Sequence, residues 1–368
     1  MKPEAKSPQA WIRPQIRALT AYHVPDPGDL VKLDAMENPW PWPGDLTDAW
    51  LESLRGLELN RYPDPGAREL SEHLRASMGV PDDAALLLGN GSDELIQMLA
   101  LSLAEPGRVI MAPEPTFVMY RLIATVAGCD YRGVPLAQDF SLDRGAMLAA
   151  IERHRPAILF LAWPNNPTGT LFDAGVIEQL IEAAPGLVVI DEAYAPFTDA
   201  SLLPRVGEFP NLLVLRTVSK MGLAGLRLGY LAGPRDWLAE IDKTRLPYNI
   251  NALTQASALF ALRHRALLDE QARRIREQRD RLFSALAALP GVTAWPSEAN
   301  FILFRVAGAD AVFAGLRERG VLIKNLSPAG GALADCLRVT VGTGEENARF
   351  LDALRGVLAD GGLPRGRG

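Results

Sequence analysis

Leu187-Val188-Val189-Ile190-Asp191-Glu192-Ala193-Tyr194 is the stretch on which the fold class turns. Four apolar residues in unbroken succession fit a strand buried on both faces, and such strands belong to parallel sheets covered by helices. Similar short runs recur at Ala85–Leu88, Arg108–Ala112, Asp130–Val134, Ala157–Ala162, Leu212–Leu215 and Leu228–Ala232, with helical stretches between them. The expectation is an α/β protein whose mainly parallel sheet lies between helices.

Working outward, the chain changes character at both ends. The first 65 residues hold ten of the 28 prolines, in runs such as Val24-Pro25-Asp26-Pro27-Gly28 and Asn38-Pro39-Trp40-Pro41-Trp42-Pro43. That density predicts an extended arm lying on something else, with little regular structure. Beyond the sheet, a long helix is expected over His264–Leu289; its arginines alternate with Glu270, Glu277 and Asp280, as on a solvated, salt-bridged face. Strands near Phe301–Phe304, Val321–Lys324 and Leu337–Val341, with helices near Asp310–Arg319 and Glu345–Leu358, complete a second, smaller α+β unit. The expected division is a large domain over 46–263 and a small domain formed by 1–45, the N-terminal arm, together with 264–368.

Composition narrows the chemistry. The 368 residues are 48% hydrophobic and 22% charged, which fits a globular chain with a full core. Two distant cysteines offer neither a disulfide framework nor a zinc ribbon, and four scattered histidines show no metal-binding spacing. The net charge of −6 disfavours nucleic acid or an anionic membrane as the main partner. No apolar run approaches the ~18 residues of a membrane span, and no signal peptide is visible in residues 1–20. A cytoplasmic enzyme is expected, with reactivity that thiols and metals do not supply.

Ligands of open α/β sheets bind at the carboxyl ends of the strands, and four segments there carry unusual residues. Gly89-Asn90-Gly91-Ser92-Asp93-Glu94 is a glycine turn opening a helix, either an ordinary capped start or a phosphate seat. It fits neither the dinucleotide fingerprint nor a P-loop. Trp163-Pro164-Asn165-Asn166-Pro167-Thr168-Gly169 is a tight turn that can aim Asn166 into the crevice. Asp191 ends a wholly apolar strand, where a carboxylate is costly unless it is paired. Lys220 lies between a buried strand and a glycine-containing loop, where desolvation turns an amine into a nucleophile.

Each segment has a bland structural reading, but together they answer one demand. Pyridoxal phosphate (PLP) needs a lysine for its aldehyde, a carboxylate for its ring nitrogen, donors for its phenolic oxygen and a cradle for its phosphate. Lys220, Asp191, Tyr194 with Asn166, and Ser92 with Ser219 and Arg227 supply these in turn.

On these residues the chain resembles the fold-type I PLP-dependent aminotransferases. The marks are Asn166-Pro167-Thr168-Gly169, Asp191-Glu192-Ala193-Tyr194, and Ser219-Lys220 followed by Arg227. Supporting stretches include Glu37-Asn38-Pro39, Arg61-Tyr62-Pro63-Asp64, Pro115-Thr116-Phe117 and Cys336-Leu337-Arg338-Val339-Thr340. The resemblance is narrower to the branch acting on histidinol phosphate, and runs over nearly the whole chain. It implies that Lys220 holds the cofactor, Asp191 pairs with the pyridine nitrogen, Tyr194 and Asn166 bond the phenolic oxygen, and Phe117 stacks on the ring. Ser92, the Asp93 backbone, Ser219 and Arg227 hold the phosphate, while Tyr62 reaches the partner's cofactor across a homodimer. Arg338, Tyr22 and Asn166 meet the substrate, and Lys324 stands where some members carry a second arginine. A lysine there acts as a point charge without a bidentate fork.

The implied reaction exchanges an amino group between a phosphorylated amine, histidinol phosphate, and a 2-oxo acid, 2-oxoglutarate. The interval from Lys220 to Arg227 is one residue shorter than in many members, which implies a tighter loop. Rival readings on the same motifs are an aromatic amino acid aminotransferase and a phosphothreonine-type decarboxylase; a DNA-binding regulator lacks a helix-turn-helix ahead of the arm.

Overall fold

The computed structural model describes residues 7–21 and 24–360. After a two-residue strand, β1 (Val31–Lys32), seven strands build one sheet: β2 (Ala85–Gly89), β3 (Val109–Glu114), β4 (Asp130–Pro135), β5 (Ile158–Ala162), β6 (Leu187–Asp191), β7 (Leu212–Thr217) and β8 (Gly229–Gly233). Their order across the sheet is β2-β8-β7-β6-β5-β3-β4. Only β8 runs against its neighbours.

The unbroken apolar runs have the expected cause. In β6, Val188 and Ile190 enter one core while Leu187 and Val189 enter the core on the other face. Each face is covered by helices, among them Ala174–Ala183 on the first and Ser92–Leu103 on the second. Aspartates cap two of the covering helices: Asp143 accepts from the Ala146 N–H and Asp173 from the Val176 N–H.

The reversed strand has a positional consequence. Residues that follow β2, β5, β6 and β7 emerge at one sheet edge, and residues that precede β8 arrive at that same edge. Arg227, which comes before β8, is thereby brought to the edge where Ser92, Asn166, Asp191 and Lys220 emerge.

A second, four-stranded antiparallel sheet has the order β12-β13-β10-β9, from β9 (Val292–Ala294), β10 (Phe301–Val306), β12 (Lys324–Asn325) and β13 (Cys336–Thr340). It packs with the helices Arg265–Ala287, Ala309–Glu318 and Gly344–Ala359 around a core that includes Phe301, Phe304 and Phe350. The strand expected over Val321–Lys324 is divided at Ile323: β11 (Val321–Leu322) pairs in parallel with β1, and β12 turns to pair with β13.

The arm departs from the extended chain expected of it. Pro8–Trp11 and Pro14–Arg17 form short helices and Gly44–Ser53 a longer one. Pro8 and Pro14 occupy the first helical position, where the missing N–H costs nothing and the fixed φ helps, so these prolines start helices that a mid-helix proline would break. No helix among the described residues is long and apolar enough to cross a membrane.

Candidate active site

Nine of the singled-out residues line one cavity of about 410 Å³: Ser92, Asp93, Phe117, Asn166, Asp191, Tyr194, Ser219, Lys220 and Arg227. They come from five separate parts of the chain, which meet because the sheet edge gathers them. Lys220 stands in a one-turn 3-10 helix, Ser219–Met221, directly after β7. Its Nζ approaches the Ala35 carbonyl at 3.4 Å and lies 5.8 Å from the centre of the Tyr194 ring. Burial, assisted by the Arg338 guanidinium, brings this amine down to about 8.

Asp191 closes β6 and is buried. Its Oδ2 accepts from the Tyr120 hydroxyl at 2.7 Å and its Oδ1 from the Ala193 N–H at 3.1 Å. Neither donor is a cation, so burial prevails over the two hydrogen bonds and lifts the carboxyl to about 6. Tyr194 and Asn166 face each other across the same cavity, the Asn166 amide donating to the Tyr194 oxygen at 3.1 Å. Burial raises the Tyr194 hydroxyl above its ordinary range despite the pull of Arg338.

The fourth corner is a glycine turn. Gly91 has φ +88°, and a Cβ built there would meet the Arg227 guanidinium. A Cβ on Gly229 would lie 2.7 Å from the Ser92 nitrogen. Backbone N–H groups at the start of the helix Ser92–Leu103, with Ser92, Ser219 and Arg227 around them, make an anion seat. The short interval from Lys220 is accommodated by a second 3-10 turn, Ala224–Leu226, after which Arg227 adopts the left-handed conformation, φ +49°. Its guanidinium lies 3.6 Å from Asp93 Oδ2.

Arg338, in β13, stands just behind this cavity. It donates to Asn166 Oδ1 at 2.6 Å and to the Asp34 carbonyl at 3.1 Å. Lys324 is its direct cross-strand partner in β12, so the two side chains share a face of the sheet. Lys324 does not line the cavity. Tyr62 is elsewhere: 79% exposed, it stacks on Tyr248 at 4.3 Å with 14° between the rings. Tyr22 lies outside the described residues.

Sequence reasoning gave no site role to five contributors. Tyr120 holds Asp191, and its spacing of three from Phe117 was the available signal. Thr217 lines the cavity and bonds the Ser219 hydroxyl at 2.8 Å. Ala35, Met36 and Glu37 of the arm form part of the wall; nothing local in sequence ties them to Lys220, 185 residues away.

Fold and site together define a class, and the family model for class I and II aminotransferases matches residues 29–354: the chain belongs to that family. It is 57% identical over 347 residues to Histidinol-phosphate aminotransferase 2 of Nitrosococcus oceani, covering 94% of this chain and 96% of that protein. A second enzyme of the same name, from Cupriavidus pinatubonensis, is 55% identical over 95% of this chain and 97% of its own. Within the class, the chain belongs with the histidinol-phosphate aminotransferases. The solved histidinol-phosphate aminotransferase of Sinorhizobium meliloti, in complex with pyridoxal-5'-phosphate, has the same fold, with a TM-score of 0.85 at 24% identity over 95% of this chain and 98% of that one.

Proposed function

We propose that this chain is a PLP-dependent aminotransferase that passes an amino group between histidinol phosphate and 2-oxoglutarate, as a homodimer in the cytoplasm. The observation that carries the reading is the convergence of a desolvated amine, a buried carboxyl and a glycine-flanked anion seat in one cavity. The residues fit the cofactor on their own chemistry. Asp191 is buried without a cation, and a protonated ring nitrogen is the partner that relieves it. Gly91 and Gly229 let the backbone that opens the helix Ser92–Leu103 approach closely, and the first N–H groups of that helix are the donors a phosphate would meet.

When bound, PLP supplies an electron sink conjugated to the reacting carbon. The chain does the rest. Lys220 would hold the cofactor's aldehyde carbon, and its Nζ, when free, would serve as the general base that moves the substrate's α-proton. Asp191 would hold a proton on the ring nitrogen, Tyr194 and Asn166 would donate to the ring oxygen, and Phe117 would pack on the ring. Arg338, held by Asn166 and Asp34, receives the anionic group of the substrate, with Lys324 as a second positive charge on the same face. The high identity to histidinol-phosphate aminotransferases supports the phosphorylated amine as that substrate.

Two further observations support the setting. Tyr62, Leu59 and Leu246 are exposed apolar side chains, 70% or more accessible, as at a surface covered by a second subunit. Cys129 and Cys336 are buried and unpaired, in keeping with a reducing compartment.

The holoenzyme given histidinol phosphate and 2-oxoglutarate is expected to form glutamate and imidazole acetol phosphate in equal amounts without releasing CO₂. Absence of glutamate, or CO₂ from phosphothreonine, would overturn the reading. Mixing Tyr62→Phe with Lys220→Ala subunits tests the shared site: activity recovered on mixing supports it, and none recovered refutes it.

A further inference from the structure

Tyr120, at the start of the helix Met119–Ala127, is 1% exposed and fixed on two sides. Its ring lies parallel to Phe160 of β5, 4.6 Å away at 4°, and Phe117 meets it edge-on at 5.5 Å. Held in this way, the phenol oxygen is fixed 2.7 Å from Asp191 Oδ2, to which it donates. The Ala193 N–H occupies the other carboxyl oxygen. The carboxyl plane is thus set by two donors, one from its own loop and one from a helix 71 residues earlier in the chain.

We propose that Tyr120 is a positioning residue that decides where the proton between Asp191 and the cofactor's ring nitrogen resides. A donor aimed at a carboxylate stabilises its ionised form and makes it a weaker base. With Tyr120 in place, Asp191 leaves the proton on the ring nitrogen, where the positive charge draws electrons from the reacting carbon. Without it, burial acts with one donor fewer, the carboxyl becomes the stronger base, and the proton moves onto oxygen. Burial and the adjacent carboxylate raise the Tyr120 hydroxyl well above its ordinary range, so it remains a donor throughout the working pH. The inference rests on the proposed reading in which Asp191 faces the ring nitrogen.

The test compares wild type with Tyr120→Phe, each as apoprotein loaded either with PLP or with an analogue carrying carbon in place of the ring nitrogen. Wild type is expected to bind PLP more tightly than the analogue, and Tyr120→Phe to lose about tenfold or more of that preference. In the PLP-loaded variant kcat is expected to fall about 10- to 100-fold, with KM within about threefold of wild type. The pH profile of the bound cofactor's absorbance should shift as well, which loss of packing alone does not cause. A preference and pH profile unchanged in Tyr120→Phe would overturn the proposal. A wild type that binds PLP yet shows no preference would overturn the assignment of Asp191 and this inference with it. Should Tyr120→Phe fail to fold, 3-fluorotyrosine at position 120 carries the test: a stronger donor must widen the preference, and no change overturns the proposal.

Discussion

Arg338 donates from Nη1 to Asn166 Oδ1 across 2.6 Å, joining residues 172 positions apart and tying β13 to the turn after β5. The second arm of the guanidinium reaches the Asp34 carbonyl at 3.1 Å. One planar group therefore aligns Asn166, whose other end bonds Tyr194, with the N-terminal arm.

Arg338→Lys is expected to keep the charge but lose this alignment, because an ammonium cannot make two directed, coplanar bonds to fixed acceptors. KM for the phosphorylated amine should rise about 10- to 100-fold, the range of a charge-assisted hydrogen bond. Steady-state kinetics against histidinol phosphate, at saturating 2-oxoglutarate, check the value.

Lys220 must be neutral to capture an aldehyde. With its amine brought to about 8 by burial and Arg338, about a tenth is neutral at pH 7, against less than about a thousandth for an ordinary lysine. The rate at which apoprotein takes up PLP in a borohydride-fixable form should therefore rise through pH 8 and level off above it. Arg338→Gln removes a positive neighbour, so its profile should lie at higher pH.

Asp191 has a stability signature opposite to that of a paired carboxylate. Burial raises it from 3.8 to about 6 in the folded protein, so the folded apoprotein binds the proton more tightly than the unfolded chain does. The penalty begins as pH rises past 3.8 and is complete above 6. Apo Asp191→Asn should be more stable than apo wild type at pH 7, by about 3 kcal/mol, with the gap closing towards pH 4. PLP should raise the unfolding temperature of wild type far more than that of the variant. Thermal melts at pH 4, 7 and 8, with and without PLP, read both effects.

Gly229→Ala tests the anion seat. The added methyl would stand 2.7 Å from the Ser92 nitrogen, a backbone atom with little freedom to withdraw. The dissociation constant of PLP should rise at least about tenfold, equivalent to ~1.4 kcal/mol. Pyridoxal without its phosphate should bind both forms alike. Fluorescence titration of the apoproteins measures the two constants.

Much of the site was readable in advance for one physical reason. Residues that end a wholly apolar strand emerge at the sheet edge, so Asp191 and Lys220 announce themselves by following Leu187–Ile190 and Leu212–Leu215. Apolar runs carry no direction, however, and nothing in Leu228–Ala232 told that β8 runs backwards, although that reversal is what brings Arg227 to the seat. Tyr120 was hidden because a tyrosine at helical spacing reads as core, and its partner lies two strands away in the sheet order. The wall made by Ala35, Met36 and Glu37 depends on pairings across the whole chain. The arm's short helices are hidden because proline reads as a breaker, whereas at the first helical position it acts as an initiator.

The pairing of Val31 with Val321 carries a consequence for how the molecule is made. The strand that leaves the ribosome early waits for a partner translated 290 residues later, so a wall of the cavity is set only when synthesis is nearly over. The seven-stranded sheet, complete by Gly233, can close well before that. A nascent chain stalled after the sheet thus carries Lys220 and Asp191 on a formed edge that is still open on the arm's side, and occupancy of that edge during translation follows a different schedule from its enclosure.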